Sequence, residues 1–167
     1  MKIRQGKIKD LPVIMNFVKK NVAIMHEEGN DQWSSYYPHE EDFKNDIINN
    51  NLFVAVIDDI PVGAVTIDRK FDENYHKVNW TYPEKNFFVI HRLAVDPEIR
   101  GGGIASELLS FAEVYAIEHD TFYLKTDTYS LNDKAQNLFV KNGYNKVGAT
   151  YFEGKEKPFF CYDKSFL

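Results

Sequence analysis

The apolar residues change spacing repeatedly along the chain, and each change marks an element. Lys2–Gly6 alternates around Ile3 and predicts a first strand. Leu11, Ile14, Met15, Val18, Val22 and Met25 then recur at helical spacing, with Asp10 placed to cap the helix and Pro12 tolerated in its first turn. Glu28-Gly29-Asn30-Asp31 ends it. Glu40–Asn50 predicts a second, short helix that opens with three acids, which suit its positive end. Asn51–Ile57 and Ile60–Ile67 form a hairpin about Asp58-Asp59. Asp68 to Lys85 has no period and predicts a long excursion containing Tyr75, His76, Trp80 and Tyr82. Phe87–Val95 alternates as a strand. A helix follows from about Gly102 to Glu118, then a strand over Thr121–Thr126 and a helix from Ser130 to a stop at Asn142-Gly143. Tyr144–Phe152 and Lys157–Phe166 close the chain as a hairpin.

The predicted order is β-α-α-β-β-β-α-β-α-β-β. Hairpins pair antiparallel, whereas a strand–helix–strand crossover gives parallel neighbours. The prediction is therefore a single α/β (α+β) domain over residues 1–167. Its central sheet is mixed but mostly antiparallel, with about seven strands and helices on both faces.

Composition narrows the function. At 167 residues the chain is long enough for a proper core. Its formal net charge of −5 disfavours a nucleic-acid partner and is compatible with cationic substrates. One cysteine, Cys161, excludes an internal disulfide and a cysteine-based zinc site. His26 and His39 lie near acids without a ligand spacing, so no metal is expected. No apolar run is long enough for a signal peptide or a membrane span, and the simple reading is a cytoplasmic protein.

The chemistry concentrates where the strand Phe87–Val95 passes through Asp96-Pro97 and Gly101-Gly102-Gly103 into a helix. Unpaired amides and a positive dipole at a helix start favour an anion, and glycines let it approach the backbone. Ile104-Ala105 stand where a P-loop needs Lys-Ser/Thr, and Ser106 and Glu107 occupy the region of the third glycine of a dinucleotide fingerprint. The pattern that fits is Arg-x-x-Gly-x-Ala at Arg100, Gly103 and Ala105, after LAV and before ASELL. It resembles the pyrophosphate loop of the GNAT-type acetyl-CoA-dependent N-acetyltransferases, and the element order resembles that fold over essentially the whole chain.

The resemblance implies acetyl-CoA as co-substrate, lying where Phe87–Val95 and Thr121–Thr126 run as adjacent parallel strands that splay apart. Leu93, Ala94 and Val95 match the backbone that holds the pantetheine arm. Arg100, Gly101, Gly102, Gly103, Ile104, Ala105 and Ser106 match the pyrophosphate cradle. Asn132 matches a residue that often touches the cofactor, and it is also a natural helix cap. The Leu93 N–H matches the oxyanion donor. Strand parity puts the His91 side chain on the face of Val89 and Leu93, where it can serve as base, and turns Arg92 to the other face in a structural role. Phe139 fills the position where many members carry an acidic tyrosine, and Tyr129, Tyr144 and Tyr151 are its possible substitutes.

The expected reaction is acetyl transfer to a primary amine of a small molecule by direct attack in a ternary complex. The alternatives are a peptide or protein N-terminal acetyltransferase and a non-catalytic acyl-CoA-binding regulatory module. Trp33, Tyr36, Tyr37 and Trp80 either wall the substrate pocket or pin their loops to the core. Glu27, Glu28 and Asp31 offer a second route for attracting or deprotonating the amine. The chain is expected as a monomer or homodimer.

Overall fold

The computed structural model describes residues 1–99 and 101–166. Its elements are β1 (Lys2–Gln5), α1 (Leu11–Glu27), α2 (Glu40–Ile48), β2 (Leu52–Ile57), β3 (Ile60–Asp68), β4 (Phe88–Val95), α3 (Ile104–Glu118), β5 (Tyr123–Tyr129), α4 (Asp133–Lys141), β6 (Asn145–Thr150) and β7 (Phe159–Ser165). This is the predicted order. The seven strands form one sheet in the order β1-β2-β3-β4-β5-β7-β6. β4 and β5 run parallel, joined through α3, with Phe88 opposite Leu124 and Val89 opposite Lys125. By contacts the chain falls into two compact units, Met1–Ile67 with His91–Phe111, and Asp68–Ile90 with Ala112–Leu167.

In the first unit, β2 alternates between two helical layers. Leu52, Val54 and Val56 share a core with Leu11, Ile14, Phe17 and Val18 of α1 and Phe43 of α2. Phe53 points the other way and its ring lies 4.9 Å from that of Phe111 on α3. Burying each such side chain contributes roughly 1.5–3 kcal/mol. The β2–β3 turn holds Asp58 and Asp59 at φ 51° and 61°, the left-handed pair that a two-residue hairpin requires. α3 sits close on β3 because Gly63 has no side chain: a Cβ there would lie 3.0 Å from Ile104 Cγ2 and 3.1 Å from Leu108 Cδ1. Asp10 does not cap α1 through its side chain. Its carboxylate turns back to accept from the Lys7 N–H at 2.8 Å and from Arg4 at 2.8 and 3.0 Å, since a buried carboxylate gains more from a paired guanidinium.

In the second unit, the Asp68–Lys85 excursion is pinned down by buried polar bonds. Tyr75 donates to Asp127, Tyr123 donates to Asp163, and the Thr81 N–H donates to Asp163 at 3.0 Å. Tyr75, Val78 and Trp80 pack on Val89 and Cys161. On the other face, Phe88 meets Tyr115 of α3 and Phe139 of α4 meets Tyr162, at 5.5 and 5.4 Å between centroids. The closing hairpin forms as expected, and its second strand, β7, lies between β5 and β6.

Lys125 is buried in this unit. Its Nζ lies 3.8 Å from the Phe87 ring centroid and 4.5 Å from that of Trp80. Burial pulls its pKa down to about 8 from an ordinary 10.5, against the opposing attraction of Asp163. Between those values the unfolded chain holds more protons than the folded one, so this group makes stability rise with pH across that window. Melting temperatures of the wild type and Lys125→Met, followed from pH 7 to pH 10, should converge as pH rises, with the wild type gaining. Parallel curves would show that the amine is not desolvated.

Candidate active site

The strand that leads to the glycine turn is not regular. Arg92, in the middle of β4, has φ 46°, a left-handed conformation that costs a non-glycine residue about 1–2 kcal/mol. It breaks the alternation, so the parity that relates Val89 to His91 does not carry on to Leu93. That corrects the sequence expectation for Leu93. The Arg92 side chain shows what holds the turn. Its Nε donates to Asp46 Oδ2 at 2.6 Å and its Nη2 donates to Asp46 Oδ1 at 2.7 Å. Thr66 Oγ1 donates to the same Oδ2 at 2.7 Å. Arg92 Nη1 also donates to the Tyr37 hydroxyl at 2.9 Å. Burial disfavours the charge on Arg92, yet the bonds to Asp46, with Tyr37 close by, outweigh it and raise its pKa.

After Val95 the chain enters the turn. The Asp96 N–H donates to the Val62 carbonyl at 2.8 Å, and Asp96 Oδ1 accepts from the Glu98 N–H at 3.0 Å, which starts the reversal. Gly101 and Gly103 have φ of 76° and 63° with nothing within 4 Å of an added Cβ. Their need for glycine is therefore conformational, not spatial. All three glycines are exposed. The Glu107 N–H donates to the Gly103 carbonyl at 3.0 Å, so the amides of Ile104, Ala105 and Ser106 precede the first intrahelical bond of α3. This cradle of exposed backbone and helix-start amides suits a pyrophosphate. Arg100 lies outside the described residues. The Val95 carbonyl accepts from Asn21 Nδ2 at 2.9 Å, which takes one of its two lone pairs and fixes the end of β4.

The aromatic residues divide. Trp33 is buried in the first unit's core, and His26 Nε2 donates to its carbonyl at 2.9 Å, so this tryptophan pins its loop. Tyr36 is 81% exposed and Tyr37 42%. Trp80 belongs to the second unit, where its indole donates to the Tyr75 carbonyl at 2.8 Å in the core. Trp33 and Trp80 are thus packing residues, while Tyr36 and Tyr37 are presented to solvent. His91 is half-buried on β4.

In the second unit Asn132 caps α4, its Oδ1 accepting from the Ala135 N–H at 3.1 Å. Phe139 is buried beside Tyr144. The Tyr144 hydroxyl is buried without a hydrogen-bond partner among the described residues, and burial pushes its pKa up. Tyr129 is buried and accepts from the Lys157 N–H at 3.3 Å, while Tyr151 is 63% exposed. Burial pushes the Cys161 thiol up to about 12, so it is not a nucleophile at neutral pH. Among the described residues there is no group of three His, Cys, Asp or Glu able to hold a metal ion, and no helix is long and apolar enough to cross a membrane.

Sequence reasoning missed the Asp46–Thr66 support of Arg92. Asp46 sits on a helix whose charges read as a solvated face, and nothing local marks it as the one that turns inward.

The family model described as Acetyltransferase (GNAT) family matches residues 22–144. A GNAT-family acetyltransferase structure from Streptococcus agalactiae is similar over 99% of this chain and 95% of its own, at 23% identity and a TM-score of 0.87. A Staphylococcus aureus structure described as an acetyltransferase is 31% identical over 99% of both chains, with a TM-score of 0.77. A Salmonella typhimurium structure containing its cofactor acetyl-CoA covers 99% of this chain and 93% of its own, at 14% identity and a TM-score of 0.71. No curated protein matches the chain.

The glycines give a direct check on the cradle. Gly103→Ala should weaken acetyl-CoA binding by about 5- to 30-fold, because the left-handed backbone costs about 1–2 kcal/mol with a side chain. Gly102→Ala should weaken it less, since its φ is ordinary and its nearest protein neighbour would be 3.5 Å away. Titration calorimetry with acetyl-CoA distinguishes the two.

Proposed function

The chain belongs to the GNAT family of acetyltransferases, and from that premise we propose that it acetylates a primary amine of a small molecule by direct attack in a ternary complex. Acetyl-CoA is the co-substrate, and the chemistry it supplies is an activated thioester. The observation that carries the reading is the turn from β4 into α3, with left-handed Gly101 and Gly103 in an exposed glycine run that leads directly into the helix start. A tie between the loop and β4, from the Tyr37 hydroxyl to Arg92, supports an acceptor site lined by Tyr36 and Tyr37.

Each residue then has a task. The amides from Gly101 to Ser106, with Arg100, hold the pyrophosphate. Leu93, Ala94 and Val95 align the pantetheine arm, and Asn132 is a further candidate for touching the cofactor. The Leu93 N–H donates to the carbonyl oxygen as it gains negative charge, an effect worth about 3 kcal/mol for one preorganised donor. His91, directly or through water, takes the proton from the acceptor ammonium so that the nitrogen lone pair can attack. The new C–N bond forms as the C–S bond breaks and the thiolate departs, and the acylated nitrogen then gives its second proton to water or to the thiolate. Phe139 cannot protonate it, and the Tyr129 and Tyr144 hydroxyls are buried. A thiol pKa near 8.5 lets the thiolate leave without a dedicated acid.

The test is thiol release from acetyl-CoA against polyamines, amino acids, aminoglycosides and short peptides. Release with a small amine, above the amine-free background, is the expected result. Release with peptides alone would move the function to N-terminal acetylation, and acetyl-CoA binding without any release would make the protein a binding module. His91→Ala should lower kcat by about 100-fold near neutral pH while acetyl-CoA still raises the melting temperature. An unchanged pH–rate profile would remove His91 from the mechanism.

A further inference from the structure

We infer that the Arg92–Asp46 pair is a positioning device for acetyl transfer: it holds the left-handed turn in β4 that sets the direction of the Leu93 N–H. The inference rests on the acetyl-transfer reading above and adds residues that act through Leu93 without touching the substrate.

Three observations converge. First, the only positive-φ residue within β4 is Arg92, and it directly precedes Leu93. Among the described residues the other non-glycine positions with positive φ are Asn50, Asp58, Asp59 and Asp120, types that tolerate the conformation through short polar side chains. Arginine has no such local compensation, so something outside the strand must impose the turn. Second, the partner is built for the purpose. Asp46 is buried and accepts from two Arg92 nitrogens in a fork, with Thr66 fixing the same carboxylate. Lysine cannot reproduce that planar, two-point geometry. Third, a buried ion pair is a poor source of net stability, because desolvation offsets most of the attraction. A pair that contributes little to stability while sustaining an unfavourable backbone is best explained by the backbone it sustains. In a regular strand the amide of residue 93 would point along the ladder. A left-handed residue 92 departs from that regular backbone, and we assign this departure to aiming the amide of residue 93 as an oxyanion donor requires.

The decisive variants change what residue 92 can adopt, with the buried carboxylate neutralised in both. Arg92→Gly with Asp46→Asn removes the pair but accepts φ 46° without steric cost. Arg92→Ala with Asp46→Asn removes the same pair and resists that φ. The glycine variant should keep kcat within about tenfold of the wild type, while the alanine variant should lose about 100-fold, the scale for one lost oxyanion donor. KM for acetyl-CoA should stay similar in both. The amide resonance of Leu93 should remain near its wild-type position with glycine and move with alanine. If the pair served stability alone, the two variants would differ in melting temperature while kcat per folded molecule stayed equal in both. Equal kcat in the two variants, with an active wild type, would overturn the inference. A wild type that releases no thiol from acetyl-CoA would instead sink the acetyl-transfer reading, before any variant is compared. Should the alanine variant fail to fold, Arg92→Asn and Arg92→Gln in the same background make the comparison. Asparagine should track glycine, and equal rates would again overturn the inference.

Discussion

A single buried carboxylate governs the shape of β4. Asp46 comes from α2 and holds Arg92 at two points, while Thr66 from β3 donates to the same carboxylate and fixes it. The left-handed turn at Arg92 costs free energy that the strand itself cannot recover. It persists because releasing it would also leave a carboxylate and a guanidinium unpaired in a poorly hydrated place. The glycine turn, the start of α3 and the direction of the Leu93 amide all lie downstream of that bend. The helix that carries Asp46 therefore shapes a strand with which it shares no backbone pairing.

The sequence revealed what is local. Alternation and helical spacing located the strands and the α-helices to within a few residues, because each declares its buried face through its own residues, while the short 3-10 turn at Glu73–Lys77 carried no such signal. The phosphate-binding turn was legible for the same reason: a strand, a run of glycines and a helix start are consecutive. The Arg92 bend was not legible, since Arg92 and Asp46 are 46 residues apart and neither has an unusual neighbour. Strand parity then misled, because it assumes a regular backbone through Leu93. The aromatic residues failed differently. Trp33 and Tyr36 belong to one polar connection and look equivalent in composition, yet one is core and the other solvent. Only tertiary packing separates them.

The leaving group shows how far a residue substitution reaches. Phenylalanine at position 139 fits a wholly apolar task, packing between Tyr144 and Tyr162. Tyr144 carries a hydroxyl in that same cluster, but burial keeps it protonated and unpartnered. The second unit thus places these aromatic side chains in packing.

The connection between α1 and α2 closes its hydrogen bonds largely on itself. Asn30 Oδ1 accepts from the Gln32 N–H at 3.0 Å, Ser34 Oγ accepts from the Tyr36 N–H at 3.0 Å, and the Ser34 N–H donates to the Tyr37 carbonyl at 2.8 Å. Trp33 anchors it below. A segment wired in this way behaves as an exchangeable cassette. An exposed side chain such as Tyr36 can be exchanged there without disturbing the turn that carries it, because the bonds that hold the turn run through Asn30, Ser34 and the backbone.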